Sequence, residues 1–490
     1  MAGHRRLVYL IILLLLAGVP APATASDAAG ARVFVIQHRT HPDLAQSYDA
    51  LYREVRALVQ AQKPGFSRTR PNIVVFPAYT GLISMATGPR FASVRDLLKG
   101  QEPYAATEPG EHRPGFKAAA AALGAGYGSQ AAYYAARFPG TPPQRAALLA
   151  STDTVVRSFY NAFERVAREL NGPAPLGCGV GPQRCEVYIV AGAILPDFER
   201  VDFGNDPSAL FLVDPEILVN GDPVLEHGPL TYVIQPVEWA YRARSADPRT
   251  SAFMWGPGGS LVGRSSRSNP GDLETLLGVA PGGADLVQPL AVPGTQLRLG
   301  VAIGGDVRAR SATACRPSVD ALGGSSMPGH VTCLSDRGAN VLVHLGATGS
   351  RWAENGSRGW RPTAATTDDW GAVTDPSLGF RFGITSYLVG NLADLVFDGQ
   401  SAVWADGYAG DGLSRVGSLE VHEGDESHAA GPKAEAVAMA PWVVPDGPRD
   451  SLRAVSARLA PGSGDPIEGR YVQTSLCVDI DLSAGATPCP

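Results

Sequence analysis

Charge is scarce in this sequence, and several common site patterns are missing from it. Charged residues make up 18% of the chain, against about 25% in average proteins. The net charge is −6, and no cluster of lysine and arginine offers the basic face that a nucleic acid requires. The chain contains no Gly-x-Ser-x-Gly nucleophile elbow and no Cys-x-x-Cys pair. We therefore expect no nucleic-acid partner, no metal site and no cofactor.

A long apolar run occurs only at the start of the chain. Residues 4–6 are His-Arg-Arg, residues 7–19 form the apolar run, and residues 23–25 give a small-x-small cleavage pattern. The run is shorter than the roughly 20 residues that cross a bilayer as a helix. We predict a signal peptide over residues 1–25, with a retained membrane anchor as the alternative. The mature chain would then be secreted, to the periplasm or the extracellular space, with no membrane contact after cleavage.

All the cysteines follow this segment. An even number of cysteines in an exported chain predicts disulfides, and six cysteines allow 15 pairings. Neighbouring cysteines would close short loops, so the preferred pairs are Cys178–Cys185, Cys315–Cys333 and Cys477–Cys489.

Buried strands alternate with amphipathic helices along the chain. The β-branched runs at 32–36 and 72–76 are typical of buried strands. Between them, Asp43 to Gln62 carries apolar residues at three- and four-residue spacing, which predicts a helix. Another helix is predicted over 152–170 and another strand over 187–192. This alternation indicates an α/β layered domain.

Two stretches interrupt the alternation. Residues 88–151 are rich in alanine and glycine, and we interpret them as an insertion. A second insertion is expected near 205–250. The domain itself is predicted to span 32–445, followed by a Pro/Gly-rich tail at 446–490.

Two predicted strand ends resemble the first signatures of the carbon–nitrogen hydrolase (nitrilase) superfamily. In that family one strand ends in Phe-Pro-Glu. Residues 72–77 match the strand and its Phe-Pro, but Ala78 stands at the Glu position. The second signature is a Pro-Gly turn, a strand and an aromatic-Arg-Lys run. Residues 256–267 resemble it, with Arg267 at the Lys position.

A third strand end resembles the family's nucleophile motif, Gly-Val-x-Ile-Cys-x-Asp. Residues 299–306 read Leu-Gly-Val-Ala-Ile-Gly-Gly-Asp and match except at the nucleophile, where Gly304 replaces Cys. The resemblance implies a four-layer α-β-β-α sandwich of the nitrilase type with insertions.

The resemblance also implies a chemistry that this chain cannot perform in the family's way. In the family the Cys attacks an amide or nitrile carbon, the Glu takes its proton, and the Lys stabilises the oxyanion. Ala78 cannot accept a proton, and Gly304 has no thiol. Arg267 keeps the charge but is a planar fork rather than a point donor. No member of the catalytic set is intact.

Two functions follow as expectations. The first is a secreted, catalytically degenerate protein whose old pocket binds a ligand or partner, such as a small amide-like molecule. The alternative is an active amide or nitrile hydrolase, acting on non-peptide C–N bonds, with relocated residues. That alternative requires an acid, a cation and a nucleophile at one pocket, so whether the chain is an enzyme stays open here. Many family members dimerise, so a homodimer stays open as well.

Three further residues are candidates for lining the pocket. Tyr79 directly follows Ala78. Asp306 ends the third motif and is expected to anchor its turn. His344 closes a predicted buried strand, and a hydrogen-bonded core histidine is the alternative interpretation.

Overall fold

The computed structural model describes most of the chain after its first 29 residues. The described residues are 30–99, 114–173, 177–179, 185–220, 222–225, 232–310, 329–347, 364–397, 399–406, 434–440 and 472–489. The predicted signal peptide and Cys315 lie outside them. None of the helices within these ranges has the length and apolarity needed to cross a membrane.

Strands provide the framework of the described structure. In chain order they are β1 (Gly30–Arg39), β2 (Asn72–Val75), β3 (Val187–Leu195), β4 (Phe198–Asp202), β5 (Asp222–Leu225), β6 (Tyr232–Gln235), β7 (Trp239–Ala243), β8 (Arg249–Trp255), β9 (Leu261–Ser266), β10 (Leu290–Ala291), β11 (Arg298–Ile303), β12 (Val341–Gly346), β13 (Phe382–Leu392), β14 (Leu395–Phe397), β15 (Ala402–Asp406), β16 (Ala434–Met439), β17 (Thr474–Asp481) and β18 (Gly485–Pro488).

Helices lie between these strands. They are α1 (Ala50–Gln62), α2 (Ala92–Lys99), α3 (Pro114–Gly126), α4 (Gly128–Arg137), α5 (Pro143–Ala150), α6 (Thr152–Val155), α7 (Asn161–Leu170), α8 (Pro215–Asn220), α9 (Asp272–Leu277), α10 (His330–Asp336) and α11 (Ala364–Thr374). A π-helical turn, Val156–Tyr160, joins α6 to α7, so the helix predicted over 152–170 is present with one irregular turn.

Fourteen strands form one hydrogen-bonded network with two halves that share one plan, which we call the first and the second sheet. The first runs β18-β17-β1-β2-β3-β8-β9, and the second runs β10-β11-β12-β13-β15-β16, with β14 also paired to β13. Each has three parallel strands in its middle, β1, β2 and β3 in one and β11, β12 and β13 in the other. The strands that flank these triplets are antiparallel to them.

The side chains of the second sheet show that it packs face to face with the first. Along β11, Val301 and Ile303 belong to the large core shared by both sheets, while Ala302 belongs to a separate core with α10. Along β12, Val343 faces the shared core and Leu342 the separate one. Because strand residues alternate between faces, this places one sheet on each side of the shared core.

Helices cover the outer faces. Phe163 of α7 packs edge-to-face on Phe76 at 5.1 Å and stacks on Trp255 at 5.2 Å, which covers the first sheet. Helices α10 and α11 pack against the second sheet. The order is helix, sheet, sheet, helix, so the predicted α/β four-layer sandwich is confirmed.

Particular elements can now be compared with the expectations. The helix predicted from Asp43 begins only at Ala50, after a short 3₁₀ turn at Pro42–Ala45. The hydroxyl of Ser47 bonds to the Asp49 carboxylate at 2.6 Å, and such local side-chain bonds compete with helix. The end of the second insertion, expected near 250, coincides with the start of β8 at Arg249, which pairs with β3.

The segment expected to be a tail, at 446–490, contains a strand near its end that pairs with the domain. Strand β17 pairs with β1 along eight positions, from Gly30 with Asp481 to Gln37 with Thr474. The guanidinium of Arg32 bonds both Asp479 oxygens at 2.7 Å across this pair. Apolar residues at every second position of β17 face the core, which is why this short segment forms a strand rather than a tail.

Gly192 of β3 allows the close approach of the chain that follows β2. A Cβ on Gly192 would lie 2.3 Å from the Ala78 carbonyl oxygen and 2.6 Å from the Ala78 Cα. Real Cβ atoms do not come this close to backbone, so no side chain fits here. The segment at Ala78 is held against β3 for this reason.

We expect Gly192→Ala to lower the free energy of unfolding by about 1–3 kcal/mol or more, because backbone atoms must shift. Denaturant titration of the purified protein measures this. The matched control is Gly128→Ala at the start of α4, where an added Cβ meets nothing within 4 Å. That control should be neutral or stabilising by about 0.4–1 kcal/mol. Equal losses in the two variants would contradict the close approach.

Candidate functional site

The three positions singled out in the sequence each follow a strand, and two of them, Arg267 and Gly304, lie against each other. Ala78 follows β2, Arg267 follows β9, and Gly304 follows β11. A Cβ on Gly304 would lie 3.1 Å from Nη1 of Arg267 and 3.2 Å from its Cζ. Nη1 also donates a hydrogen bond of 3.2 Å to the hydroxyl of Tyr79, the residue after Ala78. The Arg267 side chain therefore contacts both Gly304 and the residue that follows Ala78.

A buried carboxylate holds the Arg267 side chain in place. Nη1 of Arg267 forms a short ion pair with Oε2 of Glu274, and Nε donates to the Asn269 carbonyl at 2.8 Å. The side chain of Arg267 is 9% exposed and that of Glu274 is fully buried. Removing either partner would leave the other as an uncompensated buried charge.

Glu274 is itself fixed by neighbouring donors. Its Oε1 accepts a 2.6 Å hydrogen bond from the Thr250 hydroxyl of β8. Its Oε2 accepts a 2.6 Å bond from the Gly271 backbone N–H, which caps the first turn of α9. The carboxylate that neutralises Arg267 is thus built into a helix start and a core strand.

The charges around Arg267 favour its protonated form. Burial opposes the charge, but the neighbouring carboxylates of Glu274 and Asp306 raise the pKa of Arg267. Burial also raises the pKa of the Tyr79 hydroxyl well above its usual value, and Glu274 raises it further. Tyr79 is therefore a neutral phenol here, and Arg267 a permanent cation.

Asp306 binds the turn that follows Arg267. Its Oδ2 accepts the Ser268 backbone N–H at 2.8 Å, and its Oδ1 accepts the Asn269 N–H at 3.0 Å and the side-chain amide at 2.9 Å. Asp306 is fully buried. These bonds tie the end of β9 to the end of β11, which sets the distance from Arg267 to Gly304.

A serine and a histidine meet beside this turn. The Ser268 hydroxyl oxygen lies 2.7 Å from Nδ1 of His330, and Nε2 of His330 lies 2.9 Å from the Val301 carbonyl. Nδ1 of His330 is also 3.3 Å from Oδ2 of Asp306. Ser268 is 4% exposed and His330 is fully buried. The pair is closed off from solvent.

His344 lies behind Gly304 rather than beside Arg267. Its Nε2 is 3.1 Å from the Gly304 carbonyl oxygen, and its Nδ1 is 2.9 Å from Oδ2 of Asp369 on α11. The same carboxylate oxygen accepts the Thr385 hydroxyl at 2.6 Å. His344 therefore contacts the backbone of the third motif from the outer layer, between the sheet and α11.

Four residues of this region were missing from the sequence prediction: Ser268, Glu274, His330 and Asp369. Glu274 had a detectable signal, because a Glu three residues after Gly271, at the start of an apolar run, is typical of a helix N-terminus. The other three are brought in by tertiary contacts and carry no local signal.

Two of the preferred disulfides are formed, Cys178–Cys185 and Cys477–Cys489. Cys333 is disulfide-bonded as well. Its preferred partner, Cys315, lies outside the described residues.

Solved structures similar to this chain include amidases. A mutant of the amidase from Nesterenkonia AN1, of the nitrilase superfamily, is 12% identical with a TM-score of 0.38, covering 88% of this chain and 96% of its own. A double mutant of the Nesterenkonia sp. AN1 amidase in complex with acrylamide is 12% identical with a TM-score of 0.37, covering 89% and 99%. A carbon–nitrogen hydrolase from Helicobacter pylori G27 is 12% identical with a TM-score of 0.37, covering 77% and 83%.

No protein-family model matches the chain, and no curated protein sequence matches it. Identities and TM-scores of this size carry no argument about activity. The fold assignment rests on the strand order and layers of this chain, and the site rests on its own contacts.

Arg267→Ala should lower the free energy of unfolding by about 3–5 kcal/mol, because the Glu274 carboxylate loses its buried partner. Millimolar guanidinium should restore part of this loss by binding in the vacated space. Thermal unfolding with and without guanidinium measures both effects. The double variant Arg267→Ala/Glu274→Gln should regain no stability from guanidinium. The control Arg264→Ala should regain none either, because its partner Asp197 is half exposed. A gain in stability from guanidinium in the variant that lacks the Glu274 carboxylate would contradict the ion pair.

Gly304→Ala should be destabilising for two reasons that can be separated. Gly304 has φ +53°, which costs a non-glycine residue about 1–2 kcal/mol, and its Cβ would press on Arg267. Gly294→Ala, at φ +72° with nothing within 4 Å, measures the backbone cost alone. We expect Gly304→Ala to cost more than Gly294→Ala, and the excess to disappear in an Arg267→Ala background. A constant excess in both backgrounds would show that Arg267 does not occupy this space.

Proposed function

We propose that this chain is a non-catalytic protein on the carbon–nitrogen hydrolase fold, in which a buried ion pair has taken over the catalytic space. One observation carries the proposal. The guanidinium of Arg267 packs against Gly304 and is neutralised by Glu274, so the place of a nucleophile and its substrate is filled by the chain itself.

The remaining chemistry at the site supports this proposal. A methyl group stands at the general-base position, Ala78, and is buried against β3. The acid nearest Arg267, Glu274, already accepts three hydrogen bonds and balances the cation. Glu274 is therefore not left to take a proton from a nucleophile, and Arg267 is not left to bind an oxyanion.

The alternative, an active hydrolase with relocated residues, has one observation in its favour. The Ser268 hydroxyl is hydrogen-bonded to His330 at 2.7 Å, and a serine bonded to a histidine is the arrangement of an activated nucleophile. Against it, the hydroxyl points at a fully buried histidine and is closed from solvent. Arg267, the neighbouring cation, is engaged with Glu274 and Tyr79. The alternative therefore needs a large rearrangement before a substrate could reach Ser268.

Binding of a small amide-like ligand is a further part of the proposal. Such a ligand would have to replace the contacts of Arg267 with Tyr79 and Glu274. Binding to the wild type should therefore be weak, and opening the space at residue 267 should strengthen it.

Secretion also belongs to the proposal. The basic and apolar start of the chain with its small-x-small pattern supports it, and so do the disulfides Cys178–Cys185 and Cys477–Cys489, because such bonds persist in oxidising compartments.

The test is turnover of purified, oxidised protein on a panel of short amides and nitriles. The wild type should be silent. The triple variant Ala78→Glu/Arg267→Lys/Gly304→Cys should gain activity, because it restores a base, a point cation and a thiol at the three positions. The matched control keeps the first two changes and carries Gly304→Ser, which should remain far less active.

Wild-type turnover that is lost in Ser268→Ala would overturn the proposal in favour of the relocated nucleophile. Wild-type turnover that survives Ser268→Ala and Arg267→Ala would place the chemistry outside this region altogether.

A further inference from the structure

The two sheets are hydrogen-bonded to each other at one short junction. Within the described residues, β1 continues past its partner β17 and pairs in parallel with β13 through His38 with Leu388 and Arg39 with Val389. The N–H of Thr40 then donates to the Val389 carbonyl at 2.8 Å. This ladder of two residue pairs is where a strand of the first sheet becomes part of the second.

His38 in this junction has an unusual environment. Its side chain is fully buried, and neither Nδ1 nor Nε2 has a hydrogen-bond partner among the described residues. Its ring lies edge-to-face with Phe76 of the next strand at 6.3 Å, and Phe76 packs on Phe163 of α7. A neutral imidazole is tolerated in such a place, but an unpaired cation in apolar surroundings is not.

Among the residues that the structure describes, no carboxylate offsets a charge on His38. Its partner on β13 is Leu388, and Phe76, which directly follows β2, lies against its ring; neither side chain titrates. The titratable group that acts on it is His41, which is positive when protonated. Burial, and after it His41, lower the pKa of His38 to about 3 from its usual 6.5.

We propose that His38 makes the junction between the sheets sensitive to acid, so that proton uptake by its imidazole opens the β1–β13 ladder before the rest of the fold unfolds. The opened junction exposes the ring to water, where it binds a proton at its ordinary pKa. The closed junction therefore keeps its full stability above about pH 6.5. It loses stability as the pH falls toward 3, because only the open state takes up the proton.

Native-state hydrogen exchange of the full chain, read by mass spectrometry from pH 7 to pH 3.5, tests this proposal. After correction for intrinsic exchange, the opening constant of peptides covering 36–42 and 384–391 should rise about tenfold for each pH unit below about 6. Peptides from α7 should keep their protection over the same range. Junction peptides that open only together with α7 would overturn the proposal.

Three variants identify the group that responds. His38→Leu removes the proton acceptor and suits the apolar surroundings, so its junction should show no such rise. If the leucine variant does not fold, His38→Gln takes its place, and the same flat response is expected. The matched control is His41→Leu, three residues along, which should keep the rise. An unchanged acid response in both His38 variants, or its loss in His41→Leu alone, would overturn the role of His38.

Discussion

The buried pair of Arg267 and Glu274 is the interaction on which the strand-end region depends. The guanidinium can lie against Gly304 only because a carboxylate neutralises it in a place that water does not reach. That carboxylate is held by Thr250 from β8 and by the start of α9. One charge pair therefore connects two strand ends, a core strand and a helix start.

The rest of the region is arranged around this pair. Asp306 joins the turn after β9 to the end of β11, and it places Arg267 opposite Gly304. His344 contacts Gly304 from the other side of the sheet and connects it to α11. Polar groups that would serve catalysis in an open cleft bond to one another here. Their hydrogen bonds are made within the protein, which supports the proposal that this region is a structural core.

The sequence predicted the layers and the three strand ends well, because both depend on local patterns. Residues 299–306 predicted a strand and its turn, and Arg267 was placed where its guanidinium meets Gly304. The partners of Arg267 depend on tertiary packing, so Glu274 was missed although its helix-start pattern was visible. The helix predicted from Asp43 begins later in the structure, because the Ser47–Asp49 contact interrupts an otherwise regular apolar spacing.

The strand β17 inside the expected tail was not predicted, for a different reason. Leu476, Val478 and Ile480 alternate with polar residues, which is a strand pattern, but the surrounding proline and glycine obscured it. Its partner β1 is 447 positions away at the Arg32–Asp479 contact, too far for any local pattern to indicate the pairing.

That pairing sets the order in which the molecule can be made. Strand β17 lies 447 positions after β1 at the Arg32–Asp479 contact, so during synthesis the first sheet cannot be completed until β17 has left the ribosome. A contact of such long sequence separation also slows the folding search, because a large loop must close before any gain is realised. Until then the Gly30–Gln37 edge of β1 remains without its partner strand, and an unpaired strand edge can pair with other chains.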